Sequence, residues 1–181
     1  MVTNSTEEKI RDVRALCEKA RWPDVLTFTG RWLEESPADA KALFYQGVAQ
    51  VSLGRLPEAE TSYRRSLAID ATDFKTWNNL AALLLNALNQ PVEAAQCLAQ
   101  ALKIDPNNPL GWANLASMNG RLNRHEQALE CADHALALDP QMVEAHLHRA
   151  RAAQMLGRRE IVRAASEALA KLPPEKFRRA R

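Results

Sequence analysis

Residues 77–81, Trp-Asn-Asn-Leu-Ala, return at 112–116 as Trp-Ala-Asn-Leu-Ala. The two tryptophans are 35 residues apart. Further back, Leu43-Phe44-Tyr45-Gln46-Gly47 fills the same place. Downstream, Glu58-Ala59, Glu93-Ala94 and Gln127-Ala128 recur at steps of 35 and 34. Ile69-Asp70-Ala71, Ile104-Asp105-Pro106 and Leu138-Asp139-Pro140 keep those steps. A fixed period of this length marks an array of stacked supersecondary units. Pro23, Pro57 and Pro91 are spaced by 34 and 34, which assigns the one extra residue to Val92.

Each period reads as two antiparallel helices. From Phe74 to about Ala87, and on to Leu88, the apolar residues Trp77, Leu80, Ala81, Leu84 and Leu88 hold helical spacing. A turn follows, and Pro91 sits near the first position of the next helix, where a missing N–H loses no partner. Pro23 and Pro57 take the equivalent place. The second helix presents Ala94, Leu98, Ala101 and Leu102 on one face, and small Ala59, Ala94 and Ala128 let paired helices approach closely. Asp105-Pro106 ends the copy, because proline disfavours helical geometry in the residue before it.

The pattern Trp-x-x-Leu-Ala, then Ala, then Ala-Leu-x-Leu-Asp-Pro resembles the tetratricopeptide repeat (TPR). It is near consensus over 40–142 and weaker at both ends. The resemblance implies an all-α fold, a right-handed TPR superhelix (α-solenoid) of about five helix-turn-helix repeats. Their expected bounds are about 6–39, 40–73, 74–108, 109–142 and 143–173, in a single solenoid over 1–175 with a basic, frayed C-terminal tail at 175–181. In the first copy Val25 stands where Ala is expected and Trp32 replaces another small residue. Trp22 and Trp32 either cap its core or form an exposed apolar patch. The fifth copy keeps Ala150 and Gly157 but carries Val162 in place of the middle alanine, and Leu172-Pro173-Pro174 closes its last helix. Atypical end repeats suit a solenoid, whose ends face water.

An apolar content of 46% excludes a disordered composition. Only 6% aromatic residues and 6 glycines, with abundant Ala and Leu, favour helix over sheet. The net charge of +2 does not point to nucleic acid, and no nucleic-acid reading motif is present. Charge is uneven, with 10 Lys/Arg against 4 Asp/Glu in 143–181 and 14 against 18 in 1–142. The basic end is either a solvated helix face or a docking patch for an acidic partner. Met1 to Arg11 is polar, without the apolar stretch of a secretory signal, and no run approaches the ~20 apolar residues of a membrane span. With Met1 as the native start, a cytoplasmic protein with no membrane partner is expected. Cys17, Cys97 and Cys131 make no pairing framework, which suits a reducing compartment.

No phosphate-binding loop, dinucleotide fingerprint or nucleophile elbow occurs. His146 and His148 are two apart and point to different helix faces, unlike an i, i+4 ligand pair, and His125 and His134 complete none. Cys97 and Cys131 hold equivalent places in successive second helices and read as small buried residues. A chain with no catalytic residue, no metal and no cofactor is expected.

The resemblance implies peptide binding on the concave face of the first helices. Helical spacing places Lys41, Phe44, Tyr45 and Val48 on that stripe in the second copy. The third copy contributes Lys75, Asn78, Asn79, Ala82 and Asn86, and the fourth Leu110, Ala113, Asn114, Ser117 and Arg121. The fifth contributes Glu144, Leu147, His148 and Arg151. Asn79 and Asn114 are equivalent, and amides there offer a donor and an acceptor to an extended backbone. Tyr45 and His148 hold the neighbouring places, so the ladder has two rungs, unless asparagine is merely common there in the family. The family's carboxylate clamp is not matched. Phe44 and Val48 replace its first lysine and asparagine, Leu110 and Asn114 replace its later lysine and arginine, and only Asn79 fits. An apolar anchor at Phe44, Tyr45 and Val48 is expected, with polar and basic contacts from Asn79 to Arg151. The expected function is a non-catalytic, bacterial-style adaptor that holds a peptide or helix of a partner protein. The alternatives are a secretion-type TPR chaperone, a substrate-recruiting module of a larger enzyme, and self-association through the end repeats.

Overall fold

Each predicted repeat holds two helices in the structure, a computed structural model that describes residues 5–178. They are α1 (Thr6–Glu18) and α2 (Trp22–Glu35), α3 (Ala40–Ser52) and α4 (Leu56–Ile69), and α5 (Phe74–Asn86) and α6 (Pro91–Ile104). Then come α7 (Pro109–Arg121) and α8 (His125–Leu138), and α9 (Val143–Met155) and α10 (Arg159–Lys171). No strand occurs among the described residues. The chain divides into two units, residues 1–89 with α1–α5 and residues 90–181 with α6–α10. Residues 175–178, expected in a frayed tail, instead join Pro174 in a 3₁₀ helix. The two prolines fix φ there, and the Lys176 N–H reaches the Pro173 carbonyl at 3.0 Å. Residues 179–181 of the tail lie outside the described residues.

Polar side chains start several first helices by satisfying N–H groups that have no partner within the helix. Ser5 accepts from the Glu8 N–H while the Glu8 carboxylate accepts from the Ser5 N–H, a reciprocal cap. Asp39 accepts from the N–H groups of Lys41 and Ala42, and Asn108 from that of Gly111. Asp73 holds the same place but accepts from the Thr76 hydroxyl and, at 3.0 Å, from the Lys41 ammonium.

One left-handed residue closes each turn between the helices of a repeat: Ala20, Gly54, Asn89, Asn123 and Gly157, with φ from 51° to 73°. In four turns the next N–H bonds back five residues along the chain, Arg21 to Leu16, Arg55 to Gln50, Arg124 to Asn119 and Arg158 to Ala153, at 2.8–3.0 Å. The third turn is longer, running over residues 87–90, and there the Leu88 N–H reaches the Leu83 carbonyl at 3.2 Å. The extra residue of the array therefore lies in this turn and is not Val92. Pro91 opens α6, whereas Pro23 and Pro57 are the second residues of α2 and α4. Both places tolerate proline because neither N–H has an intrahelical acceptor.

The cores rest on small residues at repeating positions. Ala59, Ala94 and Ala128 are at most 1% exposed. A Cβ added at Gly47 would sit 2.6 Å from the Tyr63 ring, so α3 and α4 meet over a bare backbone. Where Ala81 and Ala116 replace Gly47, the residues in the place of Tyr63 are the smaller Leu98 and Ala132. Trp32 is core rather than patch. It is 2% exposed, clusters with Val13 and Val25, and donates its indole N–H to Asp39 at 3.0 Å. Trp22 packs half-buried against that cluster.

Two further positions recur. Trp77 and Trp112 donate their indole N–H to the carbonyls of Ala71 and Pro106, six residues earlier, at 2.9 and 2.8 Å. His146 fills this place in the fifth repeat, its Nε2 3.0 Å from the Pro140 carbonyl, so it replaces a packing tryptophan. The Ser62 hydroxyl donates to Gln50 at 2.7 Å, and the Asn119 amide meets the Cys131 sulfur at 3.6 Å in the equivalent place. Burial pushes the Cys131 thiol up to about 11, against a smaller opposing effect of Asn119, and burial also raises Cys17. Both are thiols rather than nucleophilic thiolates at neutral pH.

Two stability tests follow from the turns and the bare backbone. Ala20→Gly raises the unfolding free energy by roughly 1 kcal/mol and Gly54→Ala lowers it by roughly 1, since only the left-handed φ is at issue. Urea unfolding measures both. Gly47→Ala destabilises by roughly 1 kcal/mol, because overpacking outweighs the gain in helix propensity. Adding Tyr63→Leu, which removes the ring that the new Cβ meets, recovers most of that loss in a double-mutant cycle.

Candidate functional site

In the first unit a pocket opens over α3, α4 and α5. Val48, Val51, Ser52, Tyr63, Asn79, Ala82, Leu83, Asn86 and Ala87 line it. Tyr63 is 2% exposed, burial raises its pKa strongly, and the Asn79 amide donates to its hydroxyl. Asn79 is thus anchored to its own unit's wall. The pocket is neutral, mostly aliphatic at its edges, with amide groups on one side.

In the second unit a pocket opens over α7, α8 and α9, lined by Ala116, Ser117, Gly120, Arg121, His125, Ala128, His148, Arg151 and Ala152. Its floor is alanine, buried to within 3% exposure at all three positions. Its rim carries Arg121, His125, His148 and Arg151. Burial lowers the His148 pKa from 6.5, Glu144 opposes this, and Arg151 adds to it. His148 is therefore neutral at pH 7.

Counting from each helix start, six residues of each pocket hold equivalent places. Val48, Val51, Ser52, Asn79, Ala82 and Leu83 match Ser117, Gly120, Arg121, His148, Arg151 and Ala152 position by position. The backbone register is repeated and the chemistry is exchanged, from neutral in the first unit to cationic in the second.

Three tetratricopeptide-repeat family models match the chain, over residues 26–74, 77–118 and 111–142. The chain belongs to the TPR family. It is 33% identical over 104 residues to the Protein STIP1 homolog of Dictyostelium discoideum, covering 58% of this chain and 18% of that protein. It is 30% identical over 139 residues to the DnaJ homolog subfamily C member 7 homolog of Schizosaccharomyces pombe, covering 68% and 29%. The chain spans about a fifth of the length of the first curated relatives it matches. Among solved structures, MamA superposes with TM-score 0.80 at 16% identity, covering 94% of this chain and 96% of MamA. Pseudomonas aeruginosa pilF gives 0.83 at 20% identity, covering 91% and 75%. YrrB, described as a TPR protein with an unusual peptide-binding site, gives 0.77 at 18% identity, covering 90% and 86%. At these identities the structural likeness is one of fold. TPR membership places the chain among protein-interaction scaffolds.

The TPR register shows where each predicted groove residue lies. Val48, Asn79 and Asn86 meet in the first pocket, and Ser117, Arg121, His148 and Arg151 in the second. Tyr45, expected on the exposed stripe, is buried at 9%, in the core with Val13 and Val25, and its hydroxyl accepts from Arg14 at 2.8 Å. Phe44 is half-buried, its ring edge-on to Tyr45 at 5.1 Å and 6.3 Å from Tyr63, and lines neither pocket. The apolar edge expected of Phe44, Tyr45 and Val48 is therefore provided by Val48 and Val51. Lys75 is exposed, while Asn78 and Asn114 are half-buried outside both pockets. Ala113 is also buried, against Ala135 and Ala145. Sequence reasoning missed His125, Val51, Ser52 and Gly120 as wall residues. Laying Asn86 and Arg121 over the second repeat position by position would have found Ser52. Among the described residues no group of three or more His, Cys, Asp or Glu could hold a metal ion, and no helix is long and apolar enough to cross a membrane.

His148 supplies a titration test. In the folded chain it titrates below 6.5, and Arg151→Ala moves the titration upward, as followed by imidazole proton NMR. A folded pKa below the unfolded one means the unfolded chain takes up the proton first. The contribution of His148 to stability is therefore full above about pH 6.5 and is lost as pH falls from there through the folded pKa.

Proposed function

We propose that the chain is a non-catalytic adaptor that seats side chains of a partner protein's peptide or helix in these two pockets on its first helices. The observation that carries this reading is the recurrence of one pocket at one register in both units, with different chemistry in each. Packing alone asks for no such variation, whereas recognition of different side chains does. The membership in a family of interaction scaffolds supports it, as does the fold shared with YrrB, described as having a peptide-binding site. Fold by itself names no partner, so the site carries the argument.

The test fills one pocket and empties the other with residues borrowed from the equivalent place. Ala82→Arg closes the first pocket, and Arg151→Ala strips the second. Each variant and the wild type are used to capture proteins from a lysate of the source cell, and retained proteins are identified by mass spectrometry. A specific protein held by wild type and lost by either variant is the expected outcome. Equal retention by all three contradicts the reading and moves the interface away from the first helices.

A further inference from the structure

The first pocket has features that narrow what it takes. No charged side chain lines it. Each of its polar side chains already has a partner inside the fold. The Ser52 hydroxyl donates to the Val48 carbonyl at 3.0 Å, the Asn79 amide donates to the Tyr63 hydroxyl, and Asn86 is engaged as well. What the cavity of about 310 Å³ presents to a ligand is therefore aliphatic. Val51 is 38% exposed, above a wall that includes the buried Leu83. The valines are not required by the repeat. In the second pocket Ser117 and Gly120 hold the places of Val48 and Val51. Helix formation does not ask for them either, since valine is an indifferent helix former.

We propose that this pocket takes an aliphatic side chain of a partner protein, leucine or methionine in size, against Val48, Val51 and Leu83. A charged side chain would lose its water there and meet no counter-charge. A polar one would meet groups that are already bonded. An aromatic one would find no open ring to stack on, because Tyr63 is only 2% exposed. An aliphatic side chain needs none of these, and removing its surface and that of the valines from water drives the contact. Ala82, exposed and ending at its Cβ, leaves the cavity open. The proposal rests on the adaptor reading and names the ligand chemistry of one of its two pockets. It places the apolar anchor about one turn along α3 from Phe44, where helical spacing alone had put its start.

The probe is the N-acetyl, N-methylamide derivative of leucine, titrated into the full chain with labelled valine and leucine methyl groups and followed by proton–carbon NMR. The same derivatives of asparagine, lysine and phenylalanine are the comparisons. The leucine compound is expected to shift the methyl signals of Val48, Val51 and Leu83 to saturation, and the asparagine and lysine compounds to leave them in place. Val51→Ser weakens leucine binding about fivefold, read at Val48 and Leu83, the ratio expected when part of the contact with two methyl groups is lost. Ala82→Arg abolishes it. Both positions are exposed, and unchanged thermal unfolding by circular dichroism shows that the variants fold. Val92→Ser removes a valine of α6 that is 57% exposed and outside the pocket, and leaves binding within twofold. Loss of binding in Val92→Ser as large as in Val51→Ser overturns the proposal, because general apolar adhesion would then explain it. No shift with the leucine compound overturns it as well, and tighter binding of the phenylalanine compound overturns the aliphatic assignment in favour of an aromatic one. If lysate capture succeeds and is lost in Arg151→Ala while the leucine compound shifts none of these methyl signals, the adaptor reading stands and this inference alone fails.

Discussion

The close approach of two helices over small side chains is the constraint on which the structure depends. At Gly47 the backbone of α3 lies against the Tyr63 ring so tightly that one added carbon has no room. Ala81 and Ala116 hold the same place in later repeats, and Ala59 and Ala128 are the fully buried small positions of their second helices. A helix pair joined this closely cannot bury its other apolar face alone, so repeats must stack. The end repeats relax the rule: Val25 and Val162 replace the alanine. In the first repeat Trp32 fills the added space and ties itself to the Asp39 cap of the next first helix.

Stacking then leaves a gap between successive first helices, and this gap is the site we propose. Its backbone position follows from register, while the side chains at its mouth differ between the two units. Ser52, Ala82 and Asn86 in one unit, and Arg121, Arg151 and Ser117 in the other, surround such gaps. The walls nearest the core are less free. Asn79 is held by the buried Tyr63 hydroxyl, and Tyr45 has withdrawn into the first repeat to meet Arg14. A position can therefore line a pocket in one repeat and pack in the core of another.

The helix pairs were legible in the sequence because their marks are local. Trp77 and Trp112, the recurring alanines and the Asp-Pro endings each answer to nearby backbone. All ten helices start and end within the expected repeats. One error came from treating a residue type as a position. Pro57 and Pro91 look equivalent but stand at the second and first helical residues, so the extra residue was placed at Val92 instead of the 87–90 turn. His146 reads as a histidine, yet it does the work of a packing tryptophan. The site was legible only in part. Helical spacing gives a face, and Val48, Asn79, Ser117 and Arg151 were found by it, but burial of Tyr45 and Ala113 depends on neighbouring repeats that spacing along one helix does not report.

The central claim is that recognition occurs in the repeated gap between first helices, wherever the partner comes from. Amide NMR of the isotope-labelled chain, with and without a partner obtained by capture, tests this most directly. The largest shifts are expected on the pocket residues of α3 and α5, of α7 and α9, or of both. Shifts confined to the second helices α4, α6 and α8, or to the outer faces of the end repeats, would contradict it.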